Sequence, residues 1–163
     1  MRLGDLLHEN TIKLNLEALD KQAAIEELVD VLVQSHEIPF SLRNHVLEII
    51  REREAEVSTG FEHGVAVPHG ASDRVDDTIV ALGTCKQGIP FESVDGISAR
   101  IIVLAVFPRR SFTGNVNEMA AISHLLSNAT LRDKVRAANS AAEVLKAIRE
   151  EEGKDAFYQH LKK

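Results

Sequence analysis

Residues 58–70 read Ser-Thr-Gly-Phe-Glu-His-Gly-Val-Ala-Val-Pro-His-Gly and contain three glycines, two histidines and a short apolar run that ends at Pro68. The run Val65-Ala66-Val67 predicts a brief buried strand, because β-branched residues suit a pleated and covered surface. Pro68 cannot donate a hydrogen bond to a strand ladder, so we expect it where the strand leaves the sheet. His69 then lies just past the strand end, and Gly70 lets another group approach the backbone beside it. This spacing fits a functional histidine and an exposed turn histidine equally well.

The helix predicted after Ser41 carries a second informative residue, Arg53. The apolar face of that helix includes Val46, Ile49 and Ile50, and Arg53 continues the same face. A lone guanidinium on a core-facing stripe is costly unless it is paired. Arg53 therefore either meets an anion or extends towards water and the helix C-terminus, and the periodicity leaves both open. The neighbouring carboxylates are interpreted as solvated charge: Glu52, Glu54 and Glu56.

Thr59-Gly60 followed by the run from Gly64 to Gly70 resembles the active-site signature of the fructose/mannitol-type enzyme IIA domains. These domains belong to the bacterial phosphoenolpyruvate-dependent sugar phosphotransferase system and include the nitrogen-regulatory enzyme IIA. Arg53-Glu54 and Ser58-Thr59-Gly60 match further positions of the family, and the resemblance extends from about Leu3 to about Arg149. It implies that His69 accepts a phosphoryl group, through Nε2, from the phosphohistidine of the carrier HPr. It also implies that an arginine, here Arg53, lies next to this histidine.

The chemistry implied by the resemblance needs a neutral imidazole with one nitrogen exposed and the other held by an acceptor. Positioning and charge stabilisation then dominate catalysis. Arg53 can supply charge-assisted donors to the phosphoryl oxygens, and the hydroxyls of Ser58 and Thr59 and amides near Gly70 can add to them. The chain has no Gly-x-x-x-x-Gly-Lys-Ser/Thr loop, so we expect no direct use of a nucleoside triphosphate and no cofactor. The expected donor is a phosphorylated protein, which requires a shallow site around His69.

Asn115 is the one departure from the family pattern. Members of the family commonly carry a second histidine at the start of the helix after the central strand, and this chain has Asn115 at that position. An asparagine amide can donate to a phosphoryl oxygen, but it cannot carry positive charge or move a proton. Asn115 with Glu118 three residues later is also a capping-box pattern, so an N-cap role is an alternative that can hold at the same time.

Strand-like and helix-like segments alternate along the chain, which predicts an α/β domain. Strands are expected at Thr11–Leu16, at Thr78–Gly83 and at the very apolar run Ile101–Phe107, which predicts a central strand covered on both faces. The resemblance implies a mixed β-sheet with helices packed on both faces. We expect one enzyme IIA-like domain over residues 1–150 and a charged C-terminal extension over residues 151–163, which breaks at Gly153 and then forms a short helix. Helix N-caps are predicted at Asp20, Thr130 and Ser140.

Composition restricts the classes of function. The chain has 163 residues and a net charge of −6, which argues against non-specific nucleic-acid binding. No apolar run approaches the roughly 20 residues of a membrane helix, and the start lacks a signal-peptide core, so we expect no membrane insertion and a cytoplasmic location. The single cysteine, Cys85, excludes an internal disulfide and is expected to be buried.

Other histidines give little support for a second site. His63 can line the site or lie in a loop, His124 fits a satisfied and partly buried helical side chain, and His160 lies in the tail. A zinc site built from His63, His69 and His124 lacks any close ligand spacing, so we expect no metal.

Three functional hypotheses follow from the resemblance. In the first, the protein is a phosphocarrier that receives phosphoryl on His69 from HPr and passes it to a sugar-specific IIB component. In the second, phosphorylation of His69 controls binding to a regulated protein, without sugar transport. Asn115 and the absence of a fused IIB or membrane domain in the sequence favour this second role. In the third, the chain has lost phosphorylation and only binds partners.

Overall fold

The computed structural model describes residues 2–110 and 112–155, without the side chains of residues 112–114. The described residues form one five-stranded sheet in the order β1-β4-β5-β2, and β3 also pairs with β5. The strands are β1 (Ile12–Lys13), β2 (Val65–Ala66), β3 (His69–Ser72), β4 (Ile79–Ile89) and β5 (Ala99–Pro108). Strands β4 and β5 are antiparallel and the other pairings are parallel, so the predicted mixed sheet is confirmed.

Strand β5 is the centre of the sheet, as the apolar run predicted. Every side chain from Ile101 to Phe107 is buried. Ile101, Val103, Ala105 and Phe107 join one hydrophobic core, whereas Ile102, Leu104 and Val106 join the other. This alternation is the two-residue period of a strand whose faces are both covered.

Helices cover both faces of the sheet. They are α1 (Leu3–Leu6), α2 (Lys21–Gln34), α3 (Arg43–Glu56), α4 (Phe112–Leu126), α5 (Ala129–Ala137) and α6 (Ala141–Lys154). Helices α2 and α3 enclose one core, and α1, α4, α5 and α6 enclose the other. The buried Cys85 belongs to the core on the α2 and α3 side, as its sequence context predicted.

Two of the predicted N-caps are confirmed. The side chain of Asp20 accepts from the Ala23 amide at the start of α2, and that of Ser140 accepts from the Glu143 amide at the start of α6. The predicted cap at Thr130 is wrong, because Asn128 caps α5 by accepting from the Leu131 amide.

The capping role predicted for Asn115 is also wrong. Helix α4 begins at Phe112, so Asn115 lies inside the first turn of the helix and not before it. At the other end of the chain, α6 continues through Gly153 to Lys154, so the predicted break at Gly153 is absent. The short helix predicted further on, and with it His160, lies outside the described residues.

The path of the backbone at Pro68 differs from the predicted one. We expected the chain to leave the sheet there, but β3 begins at the next residue, His69, and pairs with β5. Pro68 lacks the donor for a ladder, yet its carbonyl accepts from the Ala105 amide at 3.1 Å and keeps the segment against β5. His69 is therefore fixed by strand pairing and is not a turn residue.

Strand β1 is shorter than predicted, because the chain enters it through a 3-10 turn at Glu9–Thr11 and leaves it after Lys13. Among the described helices, none combines the length and the apolar character needed to cross a membrane.

Candidate functional site

His69 lies at the start of β3, directly opposite Ala105 of the central strand. Its imidazole packs edge-on against the Phe107 ring, with the ring centroids 6.1 Å apart and an interplanar angle of 68°. The side chain is half-buried. Strand pairing and this aromatic contact together restrict the ring to one orientation.

The backbone fixes the tautomer of His69. Nδ1 lies 2.8 Å from the carbonyl oxygen of Val67. A carbonyl oxygen can only accept, so Nδ1 carries the proton of the neutral ring and Nε2 carries the lone pair. Burial lowers the pKa of His69 and the Arg53 guanidinium lowers it further, against the opposite effects of the Val67 carbonyl and of Glu54. These contacts favour a neutral imidazole with its proton on Nδ1 and its lone pair on Nε2.

A cavity of about 490 Å³ opens beside His69. Its lining combines two arginines with an apolar wall and two carboxylates. The arginines are Arg53 and Arg109, the apolar wall consists of Ile49, Phe107, Val116 and Met119, and the carboxylates are Glu52 and Glu56. Both guanidinium groups therefore belong to residues that line the same cavity as His69, and each can donate to an anion bound there.

Arg53 extends towards the C-terminus of its helix, which is one of the two interpretations of its sequence position. Its Nη1 donates to the Val57 carbonyl at 2.9 Å, which satisfies a carbonyl beyond the last turn of α3. The same side chain lines the cavity with His69. Anchoring one nitrogen in this way holds the guanidinium in place and leaves other N–H donors for an anion.

Arg109 also lines the cavity, although it was not predicted from the sequence. It follows Pro108 at the end of β5, and its amide donates to the Ser72 carbonyl at 3.0 Å, which draws the end of β5 to the end of β3. Its side chain is 60% exposed and lies 3.6 Å from Asp73, a loose pairing that leaves it accessible to a ligand. The signal available in the sequence was its position directly after the central strand.

Glu54 is not a solvated charge, contrary to its interpretation from the sequence. It is 4% exposed, and its two oxygens accept from the Thr59 amide at 3.0 Å and the Thr59 hydroxyl at 2.6 Å. Lys21 of α2 completes the group, with Nζ 3.1 Å from Glu54 Oε1. The buried carboxylate of Glu54 is tolerated because the Thr59 amide, the Thr59 hydroxyl and Lys21 all pair with it.

The hydroxyls of Ser58 and Thr59 lie away from the cavity wall, although the sequence placed both in it. Thr59 is 3% exposed and donates to Glu54, whereas Ser58 donates to the Phe91 carbonyl and accepts from the Gly60 amide. Both hydroxyls are therefore used to hold the loop between α3 and β2. The sequence could not show which way the side chains of this segment point.

Gly70 allows β3 to lie close against α3. A Cβ at this position would lie 3.0 Å from Cγ1 of Ile49 and 3.3 Å from the Ile49 carbonyl carbon. Any side chain here would push the strand from the helix that carries Arg53. Gly70 therefore sets the spacing between His69 and Arg53.

Asn115 does line the cavity, as its position in the resemblance predicted. Its amide nitrogen donates to the Pro108 carbonyl at 3.0 Å. That nitrogen has a second hydrogen, so a further donation into the cavity is chemically available.

The other histidines in the described part of the chain lie outside this cavity. His63 is exposed in a left-handed backbone conformation with φ of 65°, and His124 pairs with Asp155 at 2.7 Å. Across the described ranges, 2–110 and 112–155, no group of three or more potential ligands is arranged to hold a metal ion.

The fold and this site define a known class of protein. A family model described as "Phosphoenolpyruvate-dependent sugar phosphotransferase system, EIIA 2" matches residues 5–151. The chain belongs to this EIIA family, so the resemblance noted in the sequence is confirmed. The PTS system fructose-specific EIIABC component of Bacillus subtilis is 30% identical over 91% of the chain. The chain spans 23% of the length of that relative.

Solved structures share the fold. The crystal structure of Nitrogen Regulatory Protein IIA-Ntr from Neisseria meningitidis superimposes with a TM-score of 0.81 at 24% identity, covering 90% of this chain and 98% of that chain. The complex of enzyme IIAMTL and phosphorylated enzyme IIBMTL from Escherichia coli gives a TM-score of 0.74 at 20% identity, covering 88% of this chain and 97% of that chain. Both neighbours support the α/β architecture described above.

Proposed function

We propose that the protein is a phosphoryl carrier in which Nε2 of His69 is the acceptor. The lone pair of Nε2 attacks the phosphorus of a phosphohistidine on an HPr-like donor protein. The new N–P bond forms as the N–P bond of the donor breaks, and the donor nitrogen keeps the electron pair. The Nδ1 proton of His69 remains hydrogen-bonded to the Val67 carbonyl, so His69 does not have to lose a proton before the attack.

The observation that carries this proposal is the contact between Nδ1 of His69 and the Val67 carbonyl, in a half-buried site next to an arginine. These features favour a neutral ring with a defined nucleophilic nitrogen. An exposed turn histidine would exchange tautomers and be protonated more readily.

Two arginines are suited to stabilise the transferred group. The three equatorial oxygens share negative charge in the transition state, and charge-assisted donors placed in advance lower its energy. Arg53 is anchored at Val57, and Arg109 reaches the same cavity from the end of β5. We assign Asn115 the role of an additional neutral donor, and Ser58 and Thr59 an indirect role through the loop they hold.

The surroundings of the cavity favour a protein donor. Val116 is 51% exposed and lines the cavity together with the partly buried Met119, so apolar side chains form part of the surface around the histidine. Such a surface suits docking of another protein. We propose a IIB component as the acceptor. The name of the fructose-specific EIIABC relative indicates that it combines A, B and C components, and a protein of the same fold forms a IIA–IIB complex.

A regulatory role is the second candidate, and Asn115 is the observation that favours it. Its amide donates to the Pro108 carbonyl, and Asn115 can neither become a cation nor transfer a proton to assist departure of the phosphoryl group. If transfer of the phosphoryl group to an acceptor is slow, phosphorylated His69 persists long enough to act as a regulatory signal. The similarity to a nitrogen regulatory protein supports the same reading.

Intact-mass analysis after incubation with phosphoenolpyruvate, enzyme I and HPr tests acceptance. The wild type should gain one acid-labile phosphoryl group, and His69→Ala should gain none. His63→Ala is the matched control, because His63 is exposed outside the cavity, and it should be labelled like the wild type. An unlabelled wild type beside a labelled control IIA protein would contradict the carrier proposal for this donor.

Adding a cysteine-bearing IIB component to the labelled protein separates the two roles. Loss of label from His69 to IIB within seconds means transport. A regulatory role predicts that the wild type keeps its phosphoryl label in the presence of IIB. It also predicts that the Asn115→His variant releases the label to IIB.

A further inference from the structure

A second cavity lies at the other end of the central strands, away from His69. It has a volume of about 450 Å³ and is lined by Lys86, Arg100, Asp133, Arg136 and small neighbouring side chains. Arg100 precedes Ala105, the residue opposite His69, by five positions on β5. At about 3.3 Å per residue, the two sites are roughly 17 Å apart along the strand. We call this second cavity the basic cleft.

The charges of the basic cleft do not cancel. Arg136 donates to Asp133 at 2.6 Å, one turn apart on α5, so these two largely neutralise each other. The side chains of Lys86 and Arg100 are exposed and make no hydrogen bond or ion pair with any residue in the described part of the chain. Two positive charges are thus left without an anion in a protein whose net charge is −6.

We propose that the basic cleft binds a dianionic phosphate group, either free or carried by a small ester. Two uncompensated cations match the charge of a phosphate dianion, and the planar guanidinium of Arg100 can bind two of its oxygens at once. A carboxylate would leave one cation unbalanced. The volume of the cleft is within the range of small-ligand sites.

The walls of the cleft favour a small molecule over a protein. Thr84, Cys85 and Ala137 supply its remaining surface, and none of these side chains is a large exposed anchor. The residues that contribute most affinity at protein interfaces are enriched in Trp, Tyr and Arg, and the lining of this cleft includes no aromatic side chain. The proposal is independent of phosphoryl transfer at His69.

An amide NMR titration of the ¹⁵N-labelled full chain tests the proposal. Inorganic phosphate and glycerol 3-phosphate are added separately at about pH 8, where phosphate is a dianion, with ionic strength held constant by sodium chloride. Saturable shifts are expected at Thr84, Lys86 and Arg100. Tighter binding of the ester identifies an ester ligand, and equal binding identifies the phosphate group alone. Glycerol should produce no shifts.

Substitutions locate the binding. Lys86→Gln and Arg100→Gln should each weaken the affinity on the order of tenfold, because each removes one charge-assisted contact. Lys134→Gln is the matched control, since Lys134 is exposed on α5 outside the cleft and its loss changes the net charge equally. The same spectra report whether each variant is folded. Equal weakening by Lys134→Gln, shifts reproduced by sodium chloride alone, or shifts confined to the His69 cavity would overturn the proposal.

Discussion

The protonation of His69 is the property that matters most at the residue scale. Burial and then Arg53 lower its pKa from the ordinary value of 6.5, so the folded protein binds a proton there less readily than the unfolded chain. Between the lowered pKa and 6.5 the unfolded state carries more protons, and the folding free energy contributed by His69 is lost as the pH falls through this interval.

An NMR titration of the His69 ring should therefore give a pKa below 6.5, and Arg53→Gln should raise it by removing a nearby positive charge. Arg51→Gln is the control, because Arg51 lies on the same helix but pairs with Gln22 and Glu26 outside the cavity. A pKa at or above 6.5 in the wild type, or equal shifts in the two variants, would contradict this description of the site.

Thr59→Val tests whether Thr59 acts indirectly. The change leaves Oε2 of the buried Glu54 without its 2.6 Å donor, which should lower the free energy of unfolding by about 1–3 kcal/mol. Phosphorylation of His69 should continue in the folded protein, because the hydroxyl does not line the cavity. The readouts are the denaturation midpoint and the phosphorylation rate, with the exposed Thr130→Val as control. Lost phosphorylation at unchanged stability would instead support direct contact with the phosphoryl group.

The sequence predicted His69 and Arg53 but not Glu54, for a physical reason. Residues 51–56 read Arg-Glu-Arg-Glu-Ala-Glu, and the three glutamates have similar neighbours in the sequence. Only Glu54 is buried. Its burial depends on Thr59 folding back over the end of α3 and on Lys21 arriving from another helix. Neither partner is visible in the local periodicity.

At the scale of elements, the spacing between β3 and α3 positions the site. Gly70→Ala would place a methyl group 3.0 Å from Ile49 Cγ1, so strand and helix must separate by a few tenths of an ångström. We expect a loss of about 1–3 kcal/mol in unfolding free energy and slower phosphorylation, measured by chemical denaturation and by intact mass.

Gly153→Ala is the matched control for this prediction. Gly153 lies within α6, and a Cβ there would meet no atom within 4 Å. Replacing glycine by alanine in a helix should stabilise the fold by up to about 1 kcal/mol. If both alanine variants changed stability in the same direction, close packing at Gly70 would not be the cause.

Element boundaries were predicted less well than element types. The apolar run of β5 and the helical stripes were recognisable because burial on one or two faces sets their period. Pro68 was expected to end the strand, but pairing with β5 resumes at His69. Helix α4 begins before its apparent cap at Asn115, so the local Asn-x-x-Glu pattern does not mark the start of this helix.

At the scale of the whole molecule, the apolar surface around His69 should determine how well the donor docks. Val116→Glu places a charge on this surface and should raise the HPr concentration for half-maximal phosphorylation several-fold, because a buried unpaired charge weakens docking. Stability should change by no more than about 0.5 kcal/mol at this exposed position. Val94→Glu is the control, since Val94 is 87% exposed and lies outside the cavity. Equal effects of the two substitutions would place the donor interface elsewhere.

The most direct test of the central claim is heteronuclear NMR of the phosphorylated protein, which shows the nitrogen that carries phosphorus. The hydrogen bond from Nδ1 of His69 to the Val67 carbonyl leaves the lone pair of the neutral ring on Nε2. We predict a nitrogen–phosphorus coupling at Nε2 of His69, with Nδ1 still protonated. A coupling at Nδ1, or phosphorus on any other residue, would contradict it.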